Sequence, residues 1–307
     1  MLQQQCIIRR RIRQSSEDKK WSSWTGNLER TKKKARIYYD FKNGGQLVIH
    51  TNFLSCAWQE QLRNELIASN RFRQYQVQNN DEPRIHFLLH KNGATDDVDF
   101  TKVQPGYKYG SVYMKAWAFD ASVPYTHQLS VRAQKICEIS CTGISASPGT
   151  FWNIGADCIV YRDGNDQINF HADDDQGEQI IFTVLVSSPV ACTRKIRIRS
   201  KDQTEEIELF LDAGDAYSMN GEMQKNYLHS VPQNQKCKST DSKDTSQQRI
   251  VVVFRRGKQV MQKKDSGKSV HHLFARKFQP YIFGRLKNLF EGNLYSRTEL
   301  RILHAHR

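Results

Sequence analysis

Beyond residue 150 the chain reads as a succession of short strands, and one of them closes on His171-Ala172-Asp173. Successive side chains of a strand point to opposite faces, so His171 and Asp173 project side by side and Ala172 turns away. One strand can offer two ligands to one metal ion in this way. A third ligand must come from elsewhere. His229, in Asn226-Tyr227-Leu228-His229-Ser230-Val231-Pro232, is the best candidate among the 10 histidines. Two imidazoles and one carboxylate on one face leave coordination positions open, the arrangement of non-haem Fe(II) sites. The plain alternative is a surface histidine beside the acidic turn Asp173-Asp174-Asp175.

A second run narrows the choice. Arg249-Ile250-Val251-Val252-Val253-Phe254-Arg255 is an apolar strand with an arginine at each end. The two arginines are an even number of positions apart, so both face the same way. An apolar strand rarely buries arginine without an anionic partner. A small dicarboxylate such as 2-oxoglutarate would supply one.

Taken in order, the pieces resemble the AlkB-type Fe(II)/2-oxoglutarate dioxygenases, which repair alkylated nucleic acid. The resemblance is carried by Tyr161-Arg162-Asp163-Gly164 with Asp166, His171-x-Asp173-x-Asp175 and Leu211-Asp212-Ala213-Gly214-Asp215. Met219-Asn220-Gly221 with Gln224, His229-x-Val231-Pro232 and Arg249-x5-Arg255 complete it. It spans residues 151–256, about a third of the chain. Upstream, Pro83-Arg84 and Gly106-Tyr107-Lys108-Tyr109 look like the substrate lid of the DNA-repair members.

The resemblance implies a set of roles. His171, Asp173 and His229 would bind Fe(II). Arg249 would pair with the distal carboxylate of 2-oxoglutarate, Arg255 would steady its metal-bound end together with Asp173, and Tyr161 would add a hydroxyl hydrogen bond. The implied reaction is oxidative demethylation of 1-methyladenine and 3-methylcytosine in DNA, with release of formaldehyde, succinate and CO2. The base must first leave the stack. Tyr107 and Tyr109 are candidates for its aromatic wall, Asp175 for the group that reads its exocyclic amine, and Arg84 for a backbone contact. An RNA demethylase or hydroxylase with the same core, or a nucleic-acid-binding module without turnover, are the alternatives. The family usually has Asn where this chain has Ile159 and Val251, and Thr where it has Val253. Each lost hydrogen bond to the cosubstrate is worth about 1 kcal/mol.

Charge is distributed unevenly along the 307 residues. The chain carries a net +14, yet residues 1–36 alone hold 11 Lys/Arg against 3 acids, and residues 257–307 hold the same. The middle is left with 24 basic and 26 acidic residues. Two basic ends around a near-neutral core suit a polyanionic partner, DNA or RNA. Residues 1–36 read as a basic disordered arm, with clusters at Arg9-Arg10-Arg11-Ile12-Arg13 and Lys32-Lys33-Lys34-Ala35-Arg36. Those clusters suit a nuclear address, and the acid-free first sixteen residues also suit a mitochondrial or plastid transit peptide.

Residues 37–256 read as one dioxygenase domain, divided into an N-terminal extension and lid (37–150) and a catalytic jelly roll (151–256). In the extension, residues 37–53 predict a β-hairpin around Asn43-Gly44-Gly45, and Trp58–Ile67 and His127–Ile139 predict helices. Ile180–Val186 predicts a strand buried on both faces, and Arg194–Arg199 one that faces solvent on one side. The fold class is α+β, mainly β: a double-stranded β-helix with flanking helices. Residues 257–307 read as a basic helical extension. No apolar run approaches the roughly 18 residues of a membrane span. The seven scattered cysteines read as reduced thiols of an intracellular protein, and a monomer is expected.

Overall fold

In the computed structural model, the structure describes residues 6–13, 21–28, 35–77, 80–96, 106–109, 112–140, 151–173, 178–188, 193–234, 248–257 and 299–302. The chain begins with β1 (Cys6–Arg13) and β2 (Trp21–Leu28), then the hairpin β3 (Ala35–Asp40) and β4 (Gln46–Thr51). Helix α1 (Cys56–Ala68) follows, then the short hairpin β5 (Gln76–Val77) and β6 (Asn80–Asp81). Next come β7 (Ile85–His90), β8 (Gly106–Tyr109), β9 (Val112–Ala118) and helix α2 (Pro124–Ser140). The second half runs through β10 (Gly155–Tyr161), β11 (Ile168–His171), β12 (Glu178–Ser187), β13 (Lys195–Ser200), β14 (Glu205–Phe210) and β15 (Ala216–Asn220). A single turn, α3 (Met223–Asn226), leads into β16 (Tyr227–Val231), followed by β17 (Arg249–Gly257) and β18 (Glu299–Ile302).

The strands make two facing sheets. The major sheet has the order β18-β3-β4-β15-β12-β17-β10-β7-β9-β8, and the minor sheet β11-β16-β13-β14-β1-β2. This is the jelly roll that the sequence predicts. Side-chain alternation along β12 and β17 sorts the core into two layers. Phe182, Val184, Ile250, Val252 and Phe254 point outward and pack against α1 and α2 through Leu62, Leu66, Leu129 and Ala133. Ile181, Leu185, Val251 and Val253 point inward and meet Ile196, Ile198, Ile207 and Leu209 of the minor sheet. Each such burial stabilises the fold by roughly 1.5–3 kcal/mol, so the central strands are fixed from both sides. β13 is buried on one face alone, as its alternation predicts.

The helices are joined by a cap. The Glu65 carboxylate of α1 accepts hydrogen bonds from the backbone N–H groups of Tyr125 and Thr126 at 2.7 and 2.9 Å. It thus satisfies the open N-terminus of α2, which begins at Pro124. At the start of β10, Gly155 has φ +107°, and a Cβ there would collide with the Leu89 carbonyl of β7. Only glycine lets these two strands pair at that point.

Two expectations change. Residues 6–13 and 21–28 of the basic arm are strands, because β1 pairs antiparallel with both β14 and β2 and extends the minor sheet. Residues 299–302, assigned above to a helical extension, form a strand parallel to β3. The predicted helical stretch before them lies outside the described residues.

His50 of β4 is buried at 1% exposure, its ring 5.5 Å from that of Phe182. Burial, with Arg36 nearby, pushes its pKa down to about 3. The folded protein therefore keeps His50 neutral while the unfolded chain protonates it below about pH 6.5. Stability is lost as pH falls from about 6.5 towards 3, at up to about 1.4 kcal/mol per pH unit. We expect the stabilities of wild type and His50→Leu, measured by urea unfolding from pH 7 to 4, to diverge with that slope in the wild type's disfavour. Parallel curves would show that His50 titrates normally in the fold.

Candidate metal centre

His171 ends β11, Asp173 follows two residues later, and His229 lies at the middle of β16. The pairing of these strands sets His171 directly opposite His229, with ring centroids 4.2 Å apart. Ligand atoms of all three residues lie within 4.8 Å of one another, the only such group among the described residues. Asp173 Oδ1 is 3.5 Å from His171 Nε2, and Oδ2 is 4.0 Å from His229 Nε2. The same-face expectation for His171 and Asp173 therefore holds.

The donors have the chemistry a divalent ion requires. His171 Nδ1 donates to the Asn169 carbonyl at 2.8 Å, which leaves the Nε2 lone pair free. Burial, and the nearby His171, push the His229 pKa down to about 3, so this imidazole stays neutral. Burial opposes ionisation of Asp173, but Arg255 together with the His171 and His229 imidazoles outweighs it and holds the carboxyl well below the usual carboxylate range. Arg255 Nε donates to Asp173 Oδ2 at 3.1 Å. The Asp173 N–H donates to the Gln224 side chain of α3 at 2.9 Å, which fixes the turn after β11. The group fits Fe(II): two imidazole nitrogens and one carboxylate, with His171 and Asp173 each oriented by a second partner.

These residues border a cavity of about 520 Å³, its open mouth included. The inward face of β17 supplies one wall with Arg249, Val251, Val253 and Arg255. Arg249 is 2% exposed, yet its Nε and Nη1 have no hydrogen-bond partner. Its guanidinium lies 5.0 Å from the centre of the Tyr161 ring, its register partner on β10. Arg194 lies 5.1 Å from the same ring, held by the carbonyls of Asp163, Asp166 and Pro232. Burial, with Arg249 close by, lowers the Arg194 pKa to about 10. A buried guanidinium with unused donors beside a second cation could hold a carboxylate.

Ile159 and Val251, which stand at the two Asn positions of the family pattern, are register partners. Both line the cavity, so the departure is one cross-strand apolar pair and leaves no orphaned amide. Hydroxyls remain on this lining: Tyr161, Thr183 and Tyr217, of which the last two are register partners on β12 and β15.

The substrate residues fare differently. Tyr107 does not line the cavity. It is 1% exposed, packed with Leu88, Met114, Ala116 and Ile154, because its register partner on β9 is the fully buried Met114. Its ring instead lies 4.9 Å below the Arg255 guanidinium. Arg84 does line the cavity, but at 3% exposure it pairs with Glu82 at 2.5 Å and is not directed at solvent phosphate. Asp175 and the side chain of Tyr109 lie outside the described residues.

Three residues escaped the sequence reading. Asp157 lines the cavity, its Oδ2 3.6 Å from Arg255 Nη1. His86 Nδ1 lies 3.1 Å from Asp157 Oδ1, and its Nε2 lies 2.8 Å from Glu82 Oε2. One signal was available: Asp157 is an acid inside an otherwise apolar strand, Ala156-Asp157-Cys158-Ile159-Val160.

A profile of the family described as the 2OG-Fe(II) oxygenase superfamily matches residues 46–255. No curated protein sequence matches the chain. Among solved structures, a prolyl hydroxylase from Trichoplax adhaerens, in complex with a hypoxia inducible factor oxygen degradation domain peptide fragment, is similar at 10% identity. Its TM-score is 0.44, over 68% of this chain and 82% of that one. The structure of OsALKBH1 is similar at 11% identity and a TM-score of 0.43, over 71% of this chain and 99% of that one.

Replacing Arg249 by Met removes a buried charge but keeps its length. We expect calorimetric affinity for 2-oxoglutarate, measured on Mn(II)-loaded protein, to fall roughly 10- to 100-fold. The melting temperature of the ligand-free protein should stay level or rise, since no charge is left buried without a partner. A lower melting temperature with unchanged affinity would make Arg249 structural.

Proposed function

The chain belongs to the 2OG-Fe(II) oxygenase superfamily, and from that premise we propose that it demethylates alkylated bases in nucleic acid, with DNA as the first choice. As a member it is an Fe(II)- and 2-oxoglutarate-dependent enzyme. His171, Asp173 and His229 would hold the iron. With 2-oxoglutarate and oxygen, bound iron would supply a two-electron oxidation that inserts one oxygen atom into a substrate C–H bond, while the other enters succinate as 2-oxoglutarate loses CO2. Arg249 binds and orients the distal carboxylate of 2-oxoglutarate. Arg255 holds Asp173 ionised and faces the other end. Tyr161 stands beside Arg249 on the cavity lining, and the Ile159–Val251 pair keeps water off the chain of the cosubstrate. On an N-methylated base, oxidation gives an N-hydroxymethyl group, which leaves as formaldehyde and restores the base.

The observation that carries the oxygenase chemistry is the three-ligand group opening on a cavity that ends at the unpartnered donors of Arg249. The choice of a nucleic acid rests on the order of the AlkB-type pieces and on the two basic termini, each carrying 11 Lys/Arg against 3 acids. Phosphate attraction is common to DNA and RNA, so charge alone does not rank them. The basic clusters also suit a nuclear protein.

The test is turnover on oligonucleotides carrying 1-methyladenine or 3-methylcytosine, followed by mass spectrometry, with His171→Ala as the control. We expect methyl loss from DNA that needs both Fe(II) and 2-oxoglutarate and is absent in the control. Methyl loss from RNA oligonucleotides alone would move the substrate to RNA. Succinate formation without methyl loss from either would sink the base-demethylation reading.

A further inference from the structure

We infer that Asp157 and His86 are positioning residues for Arg255, and that they tie the segment carrying Arg84 to the carboxylate of the metal centre. The inference rests on the placing of Arg255 beside bound 2-oxoglutarate, and not on which substrate is oxidised.

Arg255 is held from three sides. Its Nε donates to Asp173, its Nη1 faces Asp157 at 3.6 Å, and its Cζ lies 4.9 Å from the centre of the Tyr107 ring. Nη1 is buried and makes no hydrogen bond. Asp157 therefore holds that end by charge and leaves its N–H groups for an incoming carboxylate. Asp157 is in turn fixed by His86, whose Nδ1 lies 3.1 Å away. His86 has a carboxylate oxygen at each ring nitrogen, Asp157 on one side and Glu82 on the other. Only the doubly protonated ring can donate to both. Burial works against that charge, but Asp157 and Glu82 overcome it and raise the His86 pKa. The second Glu82 oxygen accepts Arg84 Nη2.

The result is a line of six groups that alternate in sign: Asp173, Arg255, Asp157, His86, Glu82, Arg84. The last four are each at most 5% exposed. Such a network is poor value as core, since apolar residues of the same volume would serve stability as well or better. What it supplies is geometry. Each group is oriented by its neighbours on both sides, so the plane of the Arg255 guanidinium is set before any cosubstrate arrives. Glu82 and Arg84 flank Pro83 between β6 and β7. Glu82 also borders a groove shared with Phe170 and His171. A substrate that contacts this segment thus acts on a line that ends at Asp173.

The experiment uses full-length protein loaded with Mn(II). Asp157→Asn keeps the shape and removes the charge. We expect 2-oxoglutarate affinity by calorimetry to fall about tenfold, with Mn(II) affinity changed by less than about threefold and the melting temperature moved by only a few degrees. His86→Gln should weaken 2-oxoglutarate in the same direction, by less. If Asp157→Asn does not fold, the double variant Asp157→Asn/His86→Gln, which removes opposite charges together, takes its place. Unchanged 2-oxoglutarate affinity in a folded variant overturns the inference. So does a loss matched by an equal loss of Mn(II) affinity, which would mark the network as scaffold. Failure of the underlying assignment shows separately, as no 2-oxoglutarate binding by wild type.

Discussion

The ion pair between Arg255 and Asp173 is the contact on which the site depends. It crosses from the major sheet to the segment after β11, and so joins the layer that carries Arg249 and Arg255 to the layer that carries the imidazoles. Neither group could be buried alone: a charge without a partner in a low-dielectric interior costs several kcal/mol. Together they are 6% and 3% exposed. Their mutual attraction raises the pKa of one and lowers that of the other, so both stay charged throughout the physiological pH range.

Charge elsewhere in the cavity follows the same constraint and reaches a different end. At the Arg255 end every charge has a neighbour of opposite sign. At the other end two guanidinium groups share the Tyr161 ring, and the carbonyls that hold Arg194 leave Arg249 with unused donors. The protein is thus balanced at the metal and short of an anion at the far wall. Between them lie Ile159, Val251 and Val253, which neither donate nor accept. A ligand that satisfies both ends must be a short anionic molecule with an apolar middle, and 2-oxoglutarate has that form. The missing amides matter less in this arrangement, because the apolar pair leaves nothing unsatisfied for the ligand to compensate.

How much of this was legible follows from the range of each interaction. The period of two along a strand fixes which side chains share a face, so His171 with Asp173, and Arg249 with Arg255, could be read directly. The hairpin, both flanking helices and the buried central strand were readable from equally local signals: a turn motif, helical spacing and a continuous apolar run. Asp157, His86 and Glu82 were not, because they come together only when β10 pairs with β7. No local pattern announces that register. Tyr107 failed in the opposite way. The family resemblance suggested a stacking surface, but pairing with the fully buried Met114 turned the ring inward under Arg255. The basic N-terminal segment was misread because charge hides the strand pattern. Arg9 and Arg11 stand opposite Glu208 and Glu206, and that cross-strand complement appears only once β1 has a partner.

The two sheets also differ in how much freedom they leave their functional groups. Arg249 and Arg255 sit on β17, which has β12 on one side and β10 on the other, with core on its outer face. Their backbone cannot move without disturbing both core layers. His171 sits on β11, the edge of the minor sheet, where a register shift separates it from Ile168. It is the most exposed of the three ligand residues, at 23%, and it borders the groove that Glu82 and Phe170 line. The arginines therefore sit on the more firmly fixed strand, and the more exposed histidine sits on the edge strand beside the groove. An edge strand with unpaired backbone groups is ordinarily a liability. Here that edge carries His171 beside the groove that Glu82 and Phe170 line.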